Sequence, residues 1–562
     1  MARILLHPDD EKIKYGEIQL PLEGFIGPNV EDEKYYIANS WWRNITFGDV
    51  LDESAEKYPD KEAYTDNNLR LTYTQLRETI DSLAVNLAGL GIEKGDCVLL
   101  QLPNWSEFLF SFYALQKVGA TAVLMLPRHG FREIDHFSRL TNAKAWILPE
   151  KYHNTDYLPV IDKILKSNPT IKHLIIARGK ENRTYVSFDK LLNRTAPTQA
   201  HQIPENRPKP SDVAFIMPTG GTTGLPKAVP RTHNSAICDA WFRTEAREQG
   251  NDDICLLSVP LEHNLGLAAM NGTILTGGKL VFLDSTKPED FCKTVQEEKI
   301  TCAPLVPTLL TRLVDFSGLA EYDLHSLRAL YVGGAKTPPD VIRNVQNRMG
   351  NVYICAFGMS EGTGCTTRLD DDPDIILSSV GKPCCPHDDY RIIDGEGKDL
   401  PGNTEGELVV KGPSIFFGYL DNPEENKRAF TKDGYFITGD RASIDENGYF
   451  RITGRSKDLI IRGGENISPV DIEEMIRNHP QVEDVAVIGI PDDEFGERVC
   501  ACVKTKGRIA ISLSDITKFL KEQGASVLQL PERVELIDEI PLTNIGKPDK
   551  KVLKEIYTKP RD

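Results

Sequence analysis

The residues that most clearly carry chemistry lie in the nine-residue segment Thr219–Lys227, which reads TGGTTGLPK. It follows Val213–Met217, an apolar stretch typical of a buried strand. Glycines let backbone amides approach a polyanion, threonine hydroxyls donate further hydrogen bonds, and Lys227 adds a positive charge. The segment therefore predicts a loop that binds the phosphates of a nucleotide.

The spacing within this segment differs from two common nucleotide-binding loops. A Walker A loop has Gly-Lys-Ser/Thr in succession, whereas a Leu-Pro pair separates Gly224 from Lys227, and the segment does not follow the GxGxxG pattern. It resembles the signature loop of the adenylate-forming superfamily, which comprises acyl- and aryl-CoA synthetases, adenylation domains and luciferases. The Gly220-Gly221 pair and the following Pro230–His233 are similar to aryl-acid–AMP ligases.

Further motifs of the family appear in order, and the resemblance covers the chain from about residue 40 to 555. Tyr331–Lys336 resembles the segment whose glycines and alanine line the adenine pocket. Phe357–Gly362 resembles the aromatic-Gly-x-Thr-Glu motif, which implies that Ser360 contacts the α-phosphate and Glu361 holds Mg²⁺ through a carboxylate. In these segments the implied nucleotide-binding residues are Thr219, Gly220, Gly221, Thr222, Thr223, Gly224, Gly334, Ala335, Lys336, Phe357, Gly358, Met359 and Ser360.

Two motifs nearer the C-terminus complete the resemblance. Thr438-Gly439-Asp440 resembles the motif whose aspartate accepts hydrogen bonds from both ribose hydroxyls, and Arg455 is implied to supplement the ribose and phosphate contacts. Pro541–Lys547 resembles the C-terminal catalytic loop. By that match, Lys547 steadies charge on the reacting carboxylate and the α-phosphate.

The resemblance implies a two-step reaction with ATP, Mg²⁺ and a thiol. A carboxylate displaces pyrophosphate from ATP to give an acyl-adenylate, and the thiol then displaces AMP. Lys227, Glu361 and Lys547 are the predicted catalytic residues of the first step. A mobile C-terminal domain is expected to rotate about Lys457, so that Gly463-Gly464 lines a narrow thiol tunnel in the second step. The chemistry is close to reversible, and its direction in the cell stays open.

Leu261–Asn264 resembles the His-Asn pair at the acid pocket of aryl-acid ligases. This places His263, Asn264 and Ala269 at the acid. The residues from Leu265 to Ala269 lack hydroxyls, and hydroxyls left unsatisfied on a polar ring would cost about 1–3 kcal/mol each. We therefore expect an unsubstituted aromatic, alicyclic or medium-chain acid.

The acceptor thiol has two candidates. Gly463–Pro469 resembles acyl-CoA ligases more than carrier-loading enzymes, so coenzyme A is the expected acceptor. The alternative is a stand-alone aryl-acid–AMP ligase that loads a phosphopantetheinyl carrier protein. A third hypothesis, a non-catalytic nucleotide-binding relative, predicts decay at Glu361, Asp440 or Lys547, and all three residues are intact.

Composition excludes several other classes of protein. The net charge of −17 argues against a nucleic-acid partner, which would normally meet a basic face. The eleven cysteines are an odd number without a CxxC pair, as expected for reduced thiols in a cytoplasmic protein. No run of 18 apolar residues exists, so we expect no membrane span. The oligomeric state stays open.

The hydrophobic periodicity predicts the helices and strands that would position these motifs, and their order indicates an α/β fold. Alternating helix-like and strand-like segments in 46–140 and 279–348, among them a predicted helix over 288–298, predict two βα sheet units. Short strands after about residue 376 predict a small β-rich unit. These units form a predicted N-terminal domain over 1–454. Residues 455–562 are expected to form a small α+β domain, in which Ser468 caps a helix that begins at Pro469.

Overall fold

The structure is a computed structural model. It describes residues 22–66, 68–179, 185–193, 207–219, 226–455, 458, 460–462, 465–492, 496–523, 525, 529–543 and 547–558. The chain divides into two compact units. The first unit runs to Asp389 and includes Val410–Gly434; the second consists of Tyr390–Val409 and the chain from Tyr435 onward.

The described α-helices of the first unit are α1 (Val30–Ala38), α2 (Phe47–Lys57), α3 (Tyr73–Gly89), α4 (Ser106–Val118), α5 (Phe131–Leu140), α6 (Leu158–Ser167), α7 (Phe188–Asn193), α8 (His233–Ala246), α9 (Asn264–Thr276), α10 (Pro288–Glu298), α11 (Pro307–Asp315), α12 (Pro339–Met349), α13 (Pro373–Ser378) and α14 (Pro423–Ala429). Those of the second unit are α15 (Pro469–Arg477), α16 (Leu513–Glu522) and α17 (Lys550–Tyr557).

The described strands of the first unit are β1 (Glu62–Thr65), β2 (Arg70–Thr72), β3 (Cys97–Leu100), β4 (Thr121–Leu124), β5 (Ala145–Pro149), β6 (Lys151–Tyr152), β7 (Thr155–Asp156), β8 (His173–Ala177), β9 (Val186–Ser187), β10 (Val213–Pro218), β11 (Ala228–Thr232), β12 (Ile254–Leu257), β13 (Lys279–Phe282), β14 (Cys302–Leu305), β15 (Ala329–Gly333), β16 (Tyr353–Gly358), β17 (Gly364–Thr366) and β18 (Lys382–Pro383). Those of the second unit are β19 (Asp389–Ile393), β20 (Gly406–Lys411), β21 (Phe436–Ile444), β22 (Phe450–Arg455), β23 (Ile460–Arg462), β24 (Glu465–Ile467), β25 (Val482–Asp492), β26 (Gly496–Thr505) and β27 (Arg533–Leu536).

Two sheets organise the described part of the first unit. The larger has nine strands in the order β18-β17-β16-β15-β14-β12-β13-β1-β2, and its run from β16 to β1 is parallel. The smaller has seven strands in the order β11-β10-β4-β3-β5-β8-β9, parallel except for the β10–β11 pair. Connecting helices cover such sheets, which explains why strands Cys97–Leu100 and Lys279–Phe282 are buried along their whole length.

The described residues of the second unit form one four-stranded and one five-stranded sheet. The first has the order β19-β20-β21-β22; in the second, β24-β23-β26-β25 are neighbours and β27 pairs with β26. Helices α15 and α16 supply Ile472, Ile476 and Ile516 to an apolar core shared with Val485 and Val499. This β-rich organisation contrasts with the alternating sheets of the first unit.

Local signals set several helix boundaries. Thr46 and Asp49 form a reciprocal capping box at α2, as do Thr72 and Gln75 at α3. The predicted cap at Ser468 is confirmed: its side chain accepts from the backbone amide of Asp471, and the helix begins at Pro469. The predicted α10 over 288–298 has the predicted bounds.

The α/β fold class, with a large N-terminal and a small C-terminal part, is confirmed. The exact domain boundary at 454/455 stays a prediction. In the compact units, the four-stranded sheet belongs with the C-terminal residues. Helix α15 packs on β22, where the Ser468 hydroxyl donates to the carbonyl of Thr453 at 2.7 Å.

None of the described helices is both long enough and apolar enough to cross a bilayer.

Candidate active site

The adenine-pocket and magnesium motifs lie side by side in the first unit. Strands β15 and β16 are parallel neighbours, and Gly333 at the end of β15 faces Ala356 near the end of β16. Their carboxyl ends therefore meet at one edge of the sheet, where open α/β sheets bind ligands. A Cβ on Gly333 would lie 2.4 Å from the carbonyl oxygen of Ala356, so a side chain does not fit there. Gly334, Ala335 and Lys336 follow and are exposed at this edge.

Ser360 and Glu361 sit at the tip of the hairpin formed by β16 and β17. The strands are in register through Gly358 and Gly364, and the amide of Gly362 donates to the carbonyl of Met359 at 3.3 Å. Gly362 has a φ of +116°, and a Cβ there would lie 2.1 Å from the carbonyl oxygen of Ser414. The turn that carries Glu361 therefore requires glycine at its next residue.

The Glu361 carboxylate is buried and held by a second segment of the first unit. Its Oε1 accepts a hydrogen bond from the Tyr419 hydroxyl at 2.8 Å, and its backbone carbonyl accepts from the Phe416 amide at 2.8 Å. Across the described residues, no group of three or more His, Cys, Asp and Glu side chains is placed to hold a metal. Glu361 fits a Mg²⁺ ion that takes its remaining ligands from phosphate and water, as Mg²⁺ commonly does.

The ends of the predicted phosphate loop are joined by a backbone bond. The amide of Thr219 donates to the carbonyl of Lys227 at 2.9 Å, which closes the β10–β11 hairpin. The Lys227 ammonium pairs with Glu425 and lies 4.3 Å from the centroid of the Tyr419 ring. Gly220, Gly221, Thr222, Thr223 and Gly224 of the predicted site lie outside the described residues.

Two buried arginines of the first unit donate hydrogen bonds to backbone carbonyls of the turn that carries Glu361. Arg231 donates to the carbonyl of Ser360 at 3.1 Å and to the carbonyl of Ser414 at 2.7 Å. Arg243 donates to the carbonyl of Thr363 at 3.0 Å and forms an ion pair with Asp239 at 2.8 Å. Burial lowers the pKa of Arg231, and the nearby Asp239 opposes that shift.

The predicted acid-pocket residues lie at the start of α9. His263 is the N-cap residue, and Ala269 is buried within the helix. The Asn264 side-chain amide donates to the carbonyl of Met359 at 2.9 Å and to Asp239 at 3.2 Å. The structure thus brings Asn264 directly against the predicted magnesium motif.

A buried carboxyl precedes this pair in the chain. Glu262 is 1% exposed, and burial raises its pKa to about 8, although Arg128 acts in the opposite direction. A carboxyl with this pKa is largely protonated at neutral pH. Glu262 lies within the Leu261–Asn264 motif, but the sequence predicts no role for it.

The second unit holds the predicted ribose-binding residues. Asp440 in β21 and Arg455 in β22 are cross-strand partners, and Arg455 Nε donates to Asp440 Oδ1 at 3.1 Å. The Asp440 amide donates to the Thr438 hydroxyl at 3.1 Å. The Asp440 side chain is 6% exposed and that of Arg455 is 40% exposed. The pair is therefore a fixed carboxylate beside a more accessible guanidinium.

Lys547 lies in the second unit, in a loop directly before α17. The Thr543 amide donates to the Lys547 carbonyl at 2.6 Å, and the Lys547 amide donates to the Thr543 hydroxyl at 3.2 Å. These two hydrogen bonds join Thr543 to Lys547 and fix the backbone of the lysine. Lys457, Gly463 and Gly464, predicted as hinge and thiol tunnel, lie outside the described residues.

Four residues that hold the motifs in place were not predicted from the sequence: Tyr419, Glu425, Asp239 and Arg243. Tyr419 is separated from Glu361 by 58 residues, and Glu425 from Lys227 by 198. Glu425 lies in the first turn of α14, where an acidic residue is ordinary. The only local signal is the i,i+4 spacing of Asp239 and Arg243 in α8.

The motifs that resemble those of adenylate-forming enzymes lie on the two mostly parallel sheets of the first unit and in the smaller β-rich second unit. The chain belongs to the AMP-binding enzyme family. The family model described as AMP-binding enzyme matches residues 51–420, and that of the AMP-binding enzyme C-terminal domain matches residues 471–547. The predicted superfamily is confirmed.

Known relatives match over nearly the full chain. The 2,3-dihydroxybenzoate-AMP ligase of Bacillus subtilis is 35% identical over 536 residues, covering 95% of this chain and 98% of the relative. The 2-hydroxy-7-methoxy-5-methyl-1-naphthoate–CoA ligase of Streptomyces carzinostaticus is 33% identical, covering 92% and 94%. The apo structure of Mycobacterium smegmatis MbtA superposes with a TM-score of 0.73 at 32% identity, covering 95% and 98%.

Proposed function

We propose that this protein is an acid–thiol ligase that activates a cyclic carboxylic acid with Mg-ATP and passes the acyl group to a phosphopantetheine thiol. Family membership supports the adenylation chemistry. The relatives named as aryl-acid ligases, with hydroxybenzoate or naphthoate substrates, support a ring-bearing acid. A medium-chain acid, which is compatible with the sequence, has less support from these relatives.

One observation carries the proposal. In the first unit, a cation from the phosphate-loop segment and a buried carboxylate from the magnesium motif meet on the same tyrosine. The Lys227 ammonium lies over the Tyr419 ring, and the Tyr419 hydroxyl binds Glu361. A nucleotide phosphate with Mg²⁺ requires both kinds of group, one for phosphate oxygens and one for the cation.

The residues divide the work of adenylation between them. Lys227 neutralises the departing pyrophosphate, and Glu361 holds Mg²⁺, which supplies positive charge to the phosphate oxygens. Asp440 accepts from the ribose hydroxyls, with Arg455 beside it. Lys547 steadies charge as the carboxylate oxygen bonds to the α-phosphorus and the bond from that phosphorus to pyrophosphate breaks. His263, Asn264 and Ala269 contact the acid.

The two alternatives predicted from the sequence differ in the thiol that accepts the acyl group. The relatives named as aryl-acid–AMP ligases favour the carrier-loading alternative over coenzyme A, and one relative is named as a salicyl-AMP ligase and salicyl-S-ArCP synthetase. Coenzyme A remains the second candidate because two relatives are named as CoA-forming enzymes. Both acceptors present the same phosphopantetheine thiol to the acyl-adenylate.

An ATP–pyrophosphate exchange screen tests the activation step. Benzoate, cyclohexanecarboxylate, cyclohexenecarboxylate, hydroxybenzoates and short fatty acids are compared at equal concentration. We expect exchange that depends on added acid and is strongest with a ring-bearing acid. Exchange with fatty acids alone would overturn the substrate class, and no exchange with any acid would overturn the function.

The preferred acid then distinguishes the acceptors. AMP release is measured with coenzyme A, with a phosphopantetheinylated aryl carrier protein, and with the same carrier protein lacking its phosphopantetheine arm as the control. Acylation of the modified carrier without CoA-dependent AMP release supports the carrier reading. CoA-dependent AMP release supports coenzyme A as the acceptor.

A further inference from the structure

We propose that Tyr419 is a positioning residue that aligns the magnesium-binding carboxylate of Glu361 with the phosphate-binding ammonium of Lys227. The inference rests on the roles of Glu361 and Lys227 in the proposed function. Tyr419 itself lies outside the motifs named above.

The hydroxyl of Tyr419 orients the Glu361 carboxylate. It donates to Oε1 at 2.8 Å, in a contact where both residues are less than 10% exposed. A carboxylate has about four lone-pair sites, so one hydrogen bond leaves capacity for a cation. The bond therefore restricts the rotation of the carboxylate without consuming its capacity to bind metal.

The ring of Tyr419 holds the other group. The Lys227 ammonium lies 4.3 Å from the ring centroid, within the range of a cation–π contact, and it also pairs with Glu425. A lysine side chain has many rotamers, and the contact with the Tyr419 ring restricts them. Tyr419 thus places the cation and the carboxylate at a fixed separation before a ligand enters.

The backbone of Tyr419 is itself fixed. Its backbone amide donates to the side-chain oxygen of Asn426 at 2.8 Å, and its carbonyl accepts from the Asn426 side-chain amide at 2.8 Å. Arg231 joins the carbonyls of Ser360 and Ser414, which ties the segment leading to Tyr419 to the Glu361 turn. The tyrosine is therefore mounted on the same rigid framework as the groups it aligns.

Two substitutions separate the two contacts. Tyr419→Phe removes the hydroxyl and keeps the ring, whereas Tyr419→Leu removes both. The matched control is Tyr64→Phe. Tyr64 is a buried tyrosine of the same unit, and its hydroxyl donates to the Asp66 carboxylate at 2.9 Å. Neither residue belongs to the predicted nucleotide-binding motifs. Thermal unfolding of each variant identifies any that does not fold.

The readout is the Mg²⁺ dependence of ATP binding, measured by titration calorimetry, with the acid-dependent exchange as a second assay. Tyr419→Phe is expected to raise the Mg²⁺ concentration for half-maximal ATP binding about 3- to 10-fold, the effect of one hydrogen bond. Tyr419→Leu is expected to weaken ATP binding further at saturating Mg²⁺. Tyr64→Phe should leave both quantities at the wild-type value.

Two outcomes overturn the inference. One is a wild-type Mg²⁺ dependence in folded Tyr419→Phe, and the other is an equal change in Tyr419→Phe and Tyr64→Phe, which would indicate a general loss of stability. A different result would contradict the proposed function instead: wild-type protein that binds Mg-ATP but shows no ATP–pyrophosphate exchange with any of the acids tested. In that case the calorimetric comparison still decides the role of Tyr419.

Discussion

Asp440 and Arg455 face one another across β21 and β22, with Arg455 Nε donating to Asp440 Oδ1 at 3.1 Å. The carboxylate is buried, whereas the guanidinium is partly exposed. Pairing with a guanidinium orients the carboxylate, which suits a group that must accept hydrogen bonds from two vicinal hydroxyls. Two strands that are adjacent in the chain thereby fix the predicted ribose contact.

Asp440→Asn should raise the KM for ATP about 10- to 100-fold in the exchange assay. The amide keeps the size of the side chain but loses a charge-assisted acceptor, and such a bond contributes about 1.5–3 kcal/mol. The matched control is Glu405→Gln, because Glu405, directly before β20, pairs with Arg441 of β21 at 2.7 Å. Equal KM values for the two variants would contradict a ribose role for Asp440.

Glu425→Gln should lower the KM for ATP about 2- to 10-fold. In the ligand-free structure Glu425 pairs with Lys227, so an incoming phosphate must compete with that carboxylate. The control is Glu424→Gln, since Glu424 is the adjacent residue and lies in an exposed pair with Lys427. A KM that rises in Glu425→Gln alone would mean that Glu425 aids phosphate binding.

Much of the fold could be predicted because its signals are local. Helix α10 begins with a proline and carries acidic residues in its first turn, and its predicted bounds are those of the structure. Buried parallel strands such as β4 appear as short apolar runs, which the alternation with helices identifies.

The framework of the candidate site could not be predicted from one sequence. The Tyr419–Glu361 bond and the Arg231–Ser414 bond join segments 58 and 183 residues apart, and nothing in the local pattern specifies such pairs. The same holds for the four-stranded sheet, which groups with the C-terminal residues through packing of α15 on β22. Motif resemblance locates the reacting groups, whereas tertiary packing decides which side chains hold them.

Ala269→Ser should shift the acid preference toward hydroxylated rings. Ala269 is buried in α9, and a serine there would supply a hydroxyl, which the native residues from Leu265 to Ala269 lack. We expect the ratio of kcat/KM for a hydroxybenzoate to that for benzoate to rise about 10-fold in the exchange assay. Ala84→Ser, at a buried position of α3, controls for loss of stability. An unchanged ratio would place Ala269 away from the acid.

Glu262→Gln should increase thermal stability more at pH 8.5 than at pH 5. Burial raises the folded-state pKa of Glu262 to about 8 from an ordinary value of 4.5. Between these values the folded state keeps a proton that the unfolded state releases, so the native Glu262 lowers stability as the pH rises. Glutamine does not titrate and removes that dependence.

The measurement is the Tm of both proteins at the two pH values. The difference in Tm, variant minus wild type, is expected to be more positive at pH 8.5. A difference that is the same at both pH values, or larger at pH 5, would show that Glu262 is ionised in the folded protein.

The most direct test of acid adenylation compares the two half-reactions in Lys547→Ala and Lys551→Ala. Lys551 lies in the same segment and is exposed beside Glu555, so its removal controls for loss of charge. Lys547→Ala should lose acid-dependent ATP–pyrophosphate exchange while it still transfers the acyl group from supplied acyl-adenylate to the thiol, and Lys551→Ala should retain both activities. Equal loss of the two half-reactions in Lys547→Ala, or wild-type exchange in that variant, would contradict the account.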